Sequence, residues 1–155
     1  MVTVPLEKAQ VYEWLAKVLD PEVPALSIVD LGIVRDVEVN ADEVVTVTLT
    51  PTYSGCPATE VIEGSVTEAL RMRGIREVSI KRVLSPPWTT DWITADGREK
   101  LHRYGIAPPS PSLEIACPQC ESFNTERVSE FGSTACKASW RCCDCLEPFE
   151  YFKCL

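Results

Sequence analysis

Two C-x₂-C pairs, Cys117-Pro118-Gln119-Cys120 and Cys142-Cys143-Asp144-Cys145, stand 21 residues apart near the end of the chain. Each pair closes a tight turn that aims two sulfurs at one ion, and two such turns make a tetrahedral four-cysteine site. This spacing predicts a zinc ribbon with short strands between and after the pairs. A closed shell of four thiolates leaves no position for water, so the expected zinc is structural. A module this small depends on its metal to fold. The rival occupant is an iron–sulfur cluster, which four cysteines also hold. The chain has eight cysteines, one at position 56 and the other seven between 117 and 154. Met1–Gln10 shows no basic stretch followed by an apolar one, so a cytoplasmic protein is expected and the cluster reads as a metal site rather than as disulfides. Cys136, Cys143 and Cys154 are left over. They read as small buried residues, or, for Cys136 and Cys143, as substitute ligands. The two-residue spacing favours Cys142 over Cys143.

The rest of the chain predicts an α+β domain. Val11, Trp14, Leu15, Val18 and Leu19 recur at helical spacing, giving an amphipathic helix over roughly 6–19. Asp20-Pro21-Glu22-Val23-Pro24 ends it in a stiff extended turn. Ile33–Val39 and Val44–Thr50 read as two strands of a hairpin joined by Asn40-Ala41-Asp42-Glu43. After Pro57 the set Val61, Ile62, Ser65, Val66, Ala69 and Leu70 is helical, with Gly74 as a stop. Val78 and Ile80 begin a third strand that ends near Leu84. The expected architecture is two helices packed on a small three-stranded sheet, followed by the four-cysteine ribbon. The expected domains are 1–84, a connector over 85–112, and the ribbon over 113–155. The connector contains a short helix, Ala95 to Tyr104, and a proline-rich linker, 107–112.

Between the second strand and the second helix lies Thr50-Pro51-Thr52-Tyr53-Ser54-Gly55-Cys56-Pro57. Proline suits a first helical position, so Cys56 is expected at a helix N-terminus. The partial positive charge there favours a thiolate, the form that attacks and binds metals. A packing role is the bland alternative. Asp20, Glu22 and Asp30 are the carboxylates that could join Cys56, although each also suits a turn or cap. Trp88 and Trp92 either pack the connector or form a partner-binding surface, tryptophan being favoured at interface hot spots. His102, the only histidine, lies in a charged segment. With one histidine and no phosphate-binding glycine loop, no self-sufficient catalytic set is predicted. A free-standing thiol enzyme at Cys56 would lack a base. No apolar run approaches a membrane span. The net charge of −8, acidic in both halves, argues against nucleic acid as a partner.

Asp20-Pro21-Glu22-Val23-Pro24, Asp30-Leu31-Gly32 and Thr50 through Cys56-Pro57 together resemble the iron–sulfur assembly factors that include SufT-type proteins, over roughly residues 8–84. Within that group, Pro87-Trp88-Thr89-Thr90-Asp91-Trp92 and the four-cysteine tail resemble PaaD-like accessory proteins of the phenylacetyl-CoA epoxidase system, over nearly the whole chain. The resemblance implies an assembly domain whose single cysteine, here Cys56, is reactive or binds metal. It also implies a role beside a multicomponent oxygenase with a di-iron centre and an iron–sulfur reductase. The expected function is help in building or inserting an iron or iron–sulfur cofactor that passes transiently through Cys56. The expected partners are oxygenase or reductase subunits or iron–sulfur assembly proteins. A homodimer could bring two copies of Cys56 together. The alternative is a non-catalytic scaffold that holds a partner subunit through the ribbon and the Trp88–Trp92 segment.

Overall fold

The computed structural model describes residues 5–53, 55–112 and 114–154. Ser54, inside the junction singled out above, lies outside the described residues. The chain divides into two compact units, Met1–Trp92 and Ile93–Leu155.

In the first unit α1 spans Lys8–Leu15. It is shorter than the periodicity predicts. Lys17 N–H reaches Trp14 O and Val18 N–H reaches Leu15 O, so the helix tightens and stops. The following backbone is needed elsewhere: Ile28 N–H donates to Val18 O, Asp20 N–H donates to Leu26 O, and Leu19 bridges Ser27. Val18 stays buried, but Leu19 points outward.

Strands β1 (Val34–Val39) and β2 (Val45–Leu49) form the expected antiparallel hairpin. Its turn is held by Asn40 Oδ1, which accepts from Asp42 N–H and Val44 N–H, both at 2.9 Å. β2 continues through the Cys56 junction into α2 (Ala58–Met72), and the chain returns as β3 (Val78–Arg82). β3 pairs parallel to β2, so the sheet order is β1-β2-β3. Alternation along β2 buries Val45, Val47 and Leu49. Ile62, Val66 and Leu70 recur along α2 and are buried, as are Val11 and Leu15 of α1. Both helices therefore bury an apolar stripe, giving the α+β class predicted.

Leu31-Gly32 sits in a turn whose Gly32 has φ +73°. A Cβ there would lie 2.4 Å from Trp92 O, so both the backbone angle and the space require glycine. Trp88 is 5% exposed, and its indole N–H donates to Leu31 O at 2.8 Å. Trp92 lies in a 3₁₀ turn, Thr90–Trp92, with the Arg35 guanidinium 3.6 Å from its ring centroid. The segment from Trp88 to Trp92 is thus part of the first unit.

The second unit opens with α3 (Ala95–Arg103), capped by Thr94 Oγ1 accepting from Gly97 N–H and ended near Gly105 at φ +87°. A four-stranded sheet follows, with order β4-β7-β6-β5: β4 Ile106–Ala107, β5 Thr125–Ser129, β6 Lys137–Cys142 and β7 Pro148–Phe152. The proline-rich stretch expected as a stiff linker is built into this unit. Ala107 pairs with Tyr151 in the sheet, Arg98 donates to Pro109 O, and Tyr151 Oη donates to Ser110 O. Proline content describes the stiffness of a backbone and carries no information on the strand it will join. Among the described residues no helix is long and apolar enough to cross a membrane.

Candidate functional site

Cys56 sits where the sequence places it, just past the C-terminal end of β2 and at the start of α2. Thr59 N–H donates to Cys56 O, the first turn of the helix, and Pro57 has helical φ and ψ of −66° and −21°. Gly55, at φ +76°, lets the chain reverse into that turn without a Cβ penalty. Cys56 is 9% exposed, so its sulfur is largely enclosed.

Two hollows meet at this residue. An inner one, holding about 10 Å³, is lined by Asp20, Leu49, Pro51, Thr52, Cys56 and Thr59, among others. An outer groove of about 330 Å³ is lined by Gly55, Cys56, Thr59, Glu60, Arg82 and Leu84, among others. Of the three candidate carboxylates, Asp20 is the one that lines the inner hollow. It is 5% exposed, and its Oδ1 accepts from Glu22 N–H and Val23 N–H, both at 2.8 Å. Glu22 is half-buried and does not line either hollow. Asp30 is spent on its own turn: Oδ2 accepts from Ser27 N–H, and Ser27 Oγ accepts from Asp30 N–H, both at 3.0 Å. Trp88 is occupied in the interior by its bond to Leu31 O, while Trp92 keeps a half-buried ring under Arg35. Thr59, Glu60 and Arg82 were not singled out in the sequence. The one signal for Thr59 and Glu60 was their position in the first turn after Cys56, and Arg82 gave none until the parallel pairing of β3 was known.

In the second unit Cys117, Cys120, Cys142 and Cys145 converge, with all four sulfurs within 4.8 Å of one another. Cys117 Sγ lies 3.7 Å from Cys145 Sγ, and Cys120 Sγ lies 3.5 Å from Cys142 Sγ. Bonds of about 2.3 Å to one tetrahedral ion place sulfurs about 3.8 Å apart, so the donor set and its spacing fit a single metal ion. The two knuckles repeat each other. Cys117 N–H donates to Ser122 O, and Cys142 N–H to Glu147 O. Gln119 N–H donates to Cys117 Sγ and Cys145 N–H to Cys142 Sγ, both at 3.4 Å. Glu121 and Leu146 each follow the second cysteine with φ of 63° and 65°. Asp144 ties the knuckles together by accepting from Ser122 Oγ and from Asn124 Nδ2. Cys142 stands in the four-sulfur cluster, and Cys143 is exposed beside it.

Without metal, Cys142 and Cys145 are shifted in opposite directions. The Cys145 backbone N–H holds Cys142 down to about 7. At Cys145 the Glu147 backbone N–H favours the thiolate, but desolvation and the neighbouring sulfurs outweigh it and push the thiol up to about 12. A bound divalent ion removes that conflict. Cys136 is buried, with its sulfur 2.9 Å from Thr134 Oγ1, and the Cys154 thiol donates to Ser110 O at 3.1 Å. Neither joins the cluster.

Residues 106–153 match the family model for the PaaD zinc beta ribbon domain, and residues 8–81 match that for the iron–sulfur cluster assembly protein. The chain is 47% identical, over 97% of its length and 95% of the relative, to an Escherichia coli protein provisionally named as a component of 1,2-phenylacetyl-CoA epoxidase. It is 35% identical to an Fe–S protein maturation auxiliary factor of Bacillus subtilis, over 58% of this chain and 80% of the relative. Among solved structures, a domain of unknown function from Bacillus anthracis superposes with a TM-score of 0.57 at 29% identity, covering 61% of this chain and 90% of that one. An assembly-type domain with a lone cysteine at a helix start, joined to a four-cysteine ribbon, places this chain in the PaaD-like family.

Proposed function

We propose that the protein is an accessory maturation subunit of a phenylacetyl-CoA epoxidase system, helping to assemble or insert an iron or iron–sulfur cofactor through Cys56. Its relatives carry names from both halves of that statement, an epoxidase subunit and Fe–S maturation factors. The observation that carries the reading is the position of Cys56: a nearly enclosed thiol at the N-terminus of a 15-residue helix, opening on a groove. A single sulfur ligand makes a site that can release its cargo. Asp20, which lines the inner hollow with Cys56, is the carboxylate that supports it in this reading.

The ribbon serves a different purpose in this reading. Its four sulfurs take one zinc ion, which holds the fold and leaves no open coordination position. A cluster of several iron atoms would keep the sulfurs farther apart. The partners are subunits of the oxygenase and its reductase, or the assembly proteins that supply them.

The test is Cys56→Ser in the full chain, supplied to cells that make the partner oxygenase and reductase. The variant protein folds and keeps its zinc, while the partner enzymes are recovered short of iron. Full iron loading of the partners beside the variant would overturn the assignment.

A further inference from the structure

We propose that the groove on the ribbon sheet lined by Arg127, Trp140 and Tyr151 binds a small amphipathic carboxylate, an apolar chain or ring that carries one carboxylate group. The site lies within the second unit and owes nothing to Cys56.

The sheet builds the groove's wall. Arg127 of β5 stands opposite Trp140 of β6 in the antiparallel ladder. The two side chains therefore rise from the same face, with Cβ atoms about 5 Å apart. Tyr151 of β7 meets the Trp140 ring edge to face, with centroids 6.0 Å apart. Pro111, Ile115 and Cys154 help to close a hollow of about 460 Å³. Its volume and its aromatic walls suit a small organic molecule.

The polar groups of the wall select the ligand. Tyr151 Oη is already occupied, donating to Ser110 O and accepting from Ser110 N–H, both at 3.3 Å. The Cys154 thiol is held by the same carbonyl at 3.1 Å. Two donors remain. The Trp140 indole N–H is enclosed and has no hydrogen-bond partner, which buried polar groups rarely tolerate. The Arg127 guanidinium makes no ion pair or side-chain hydrogen bond among the described residues. It is also the one charged group among the described residues that line the groove, in a chain of net charge −8. A carboxylate brings one negative charge and two acceptor oxygens, matching one cation and one neutral donor. A phosphate dianion would leave a charge unmet, and an ammonium would face Arg127. The rings of Trp140 and Tyr151, with Pro111 and Ile115, take the apolar body out of water.

The probe is octanoate, titrated by calorimetry into zinc-loaded full-length protein beside octanol and octylamine. Octanoate should bind about tenfold more tightly than octanol, the worth of one charge-assisted hydrogen bond, and octylamine more weakly than either. Arg127→Gln, a change at an exposed side chain, should erase the difference between octanoate and octanol. Trp140→Phe keeps an aromatic wall and removes the N–H, and should weaken octanoate several-fold with zinc content unchanged. Bound octanoate should also slow alkylation of Cys154 in the groove's lining, while the exposed Cys143 reacts as before. Equal affinity for octanoate and octanol, or unchanged octanoate affinity in Arg127→Gln, would overturn the carboxylate assignment. Octanoate binding that leaves Cys154 alkylation unchanged would place the ligand elsewhere and overturn the groove. Protection of Cys154 by partner oxygenase subunits but not by octanoate would make the groove a protein-docking surface and overturn the small-molecule assignment.

Discussion

At the scale of single residues, conformation and chemistry make separable demands. Gly32 holds φ +73° with Trp92 O only 2.4 Å from where a Cβ would stand. Gly32→Ala therefore meets a strained backbone and a clash with main chain, which cannot move as a side chain would. It should cost about 2–4 kcal/mol in urea unfolding, against a few tenths for alanine at an open, ordinary glycine. Asp20 carries two roles that substitution can part. Its Oδ1 accepts two backbone N–H groups and so shapes the turn. Asparagine keeps a carbonyl oxygen for that task but not the charge. Asp20→Asn should stay within about 0.5 kcal/mol of the parent, whereas Asp20→Ala should lose about 1–2 kcal/mol by orphaning buried donors. If the charge supports cargo at Cys56, Asp20→Asn lowers iron retention while leaving the unfolding midpoint unchanged, and a midpoint shift equal to that of Asp20→Ala would show that its charge is needed by the turn.

At the scale of elements, much of the fold was legible because each signal was local. β2 alternates strictly, and α2 repeats Ile62, Val66 and Leu70 at helical spacing, so pattern alone identified both. The convergence of four ribbon sulfurs followed from the bite of two C-x₂-C turns. What escaped depended on partners distant in sequence. α1 ends early because the backbone of Val18 and Asp20 pairs with Ile28 and Leu26, a demand that no helical period can reveal. Trp88 is buried because Leu31 O needs a donor, 57 residues upstream. The stretch after Ala107 looked like a spacer because proline content reports stiffness and not docking. Arg82 reached the groove only through the parallel register that sets it opposite Leu49. The energetics of an element follow its buried stripe. Leu70 is fully buried on α2, so Leu70→Ala should cost about 2–5 kcal/mol by equilibrium unfolding. A loss under about 1 kcal/mol would mean that α2 is not anchored by that stripe.

At the scale of the molecule, the two units are stabilised by different means, and removal of metal should separate them. The first unit, Met1–Trp92, has a sheet and two helices with an apolar interior from Val11 to Leu70. It has the ordinary ingredients of a folded core and no metal cluster among its described residues. The second unit, Ile93–Leu155, has a smaller cluster of Ala107, Ile115, Phe149 and Tyr151 that also includes Cys117 and Cys142. Two of its core residues therefore belong to the four-sulfur cluster. Without an ion the sulfurs crowd one another, and desolvation with the neighbouring sulfurs pushes the Cys145 thiol up to about 12. Binding energy for structural zinc is folding energy in such a module. Anaerobic treatment of the full chain with a strong zinc chelator should strip hydrogen-exchange protection from β5, β6 and β7 while leaving β1, β2 and β3 protected. Lowering the pH should do the same, since the ligands must be deprotonated to hold zinc, and readdition of zinc at neutral pH should restore protection and release protons. Loss of protection in both sheets together would show that the units fold as one cooperative body, and retention in β5–β7 without zinc would remove the metal from the list of what holds the ribbon.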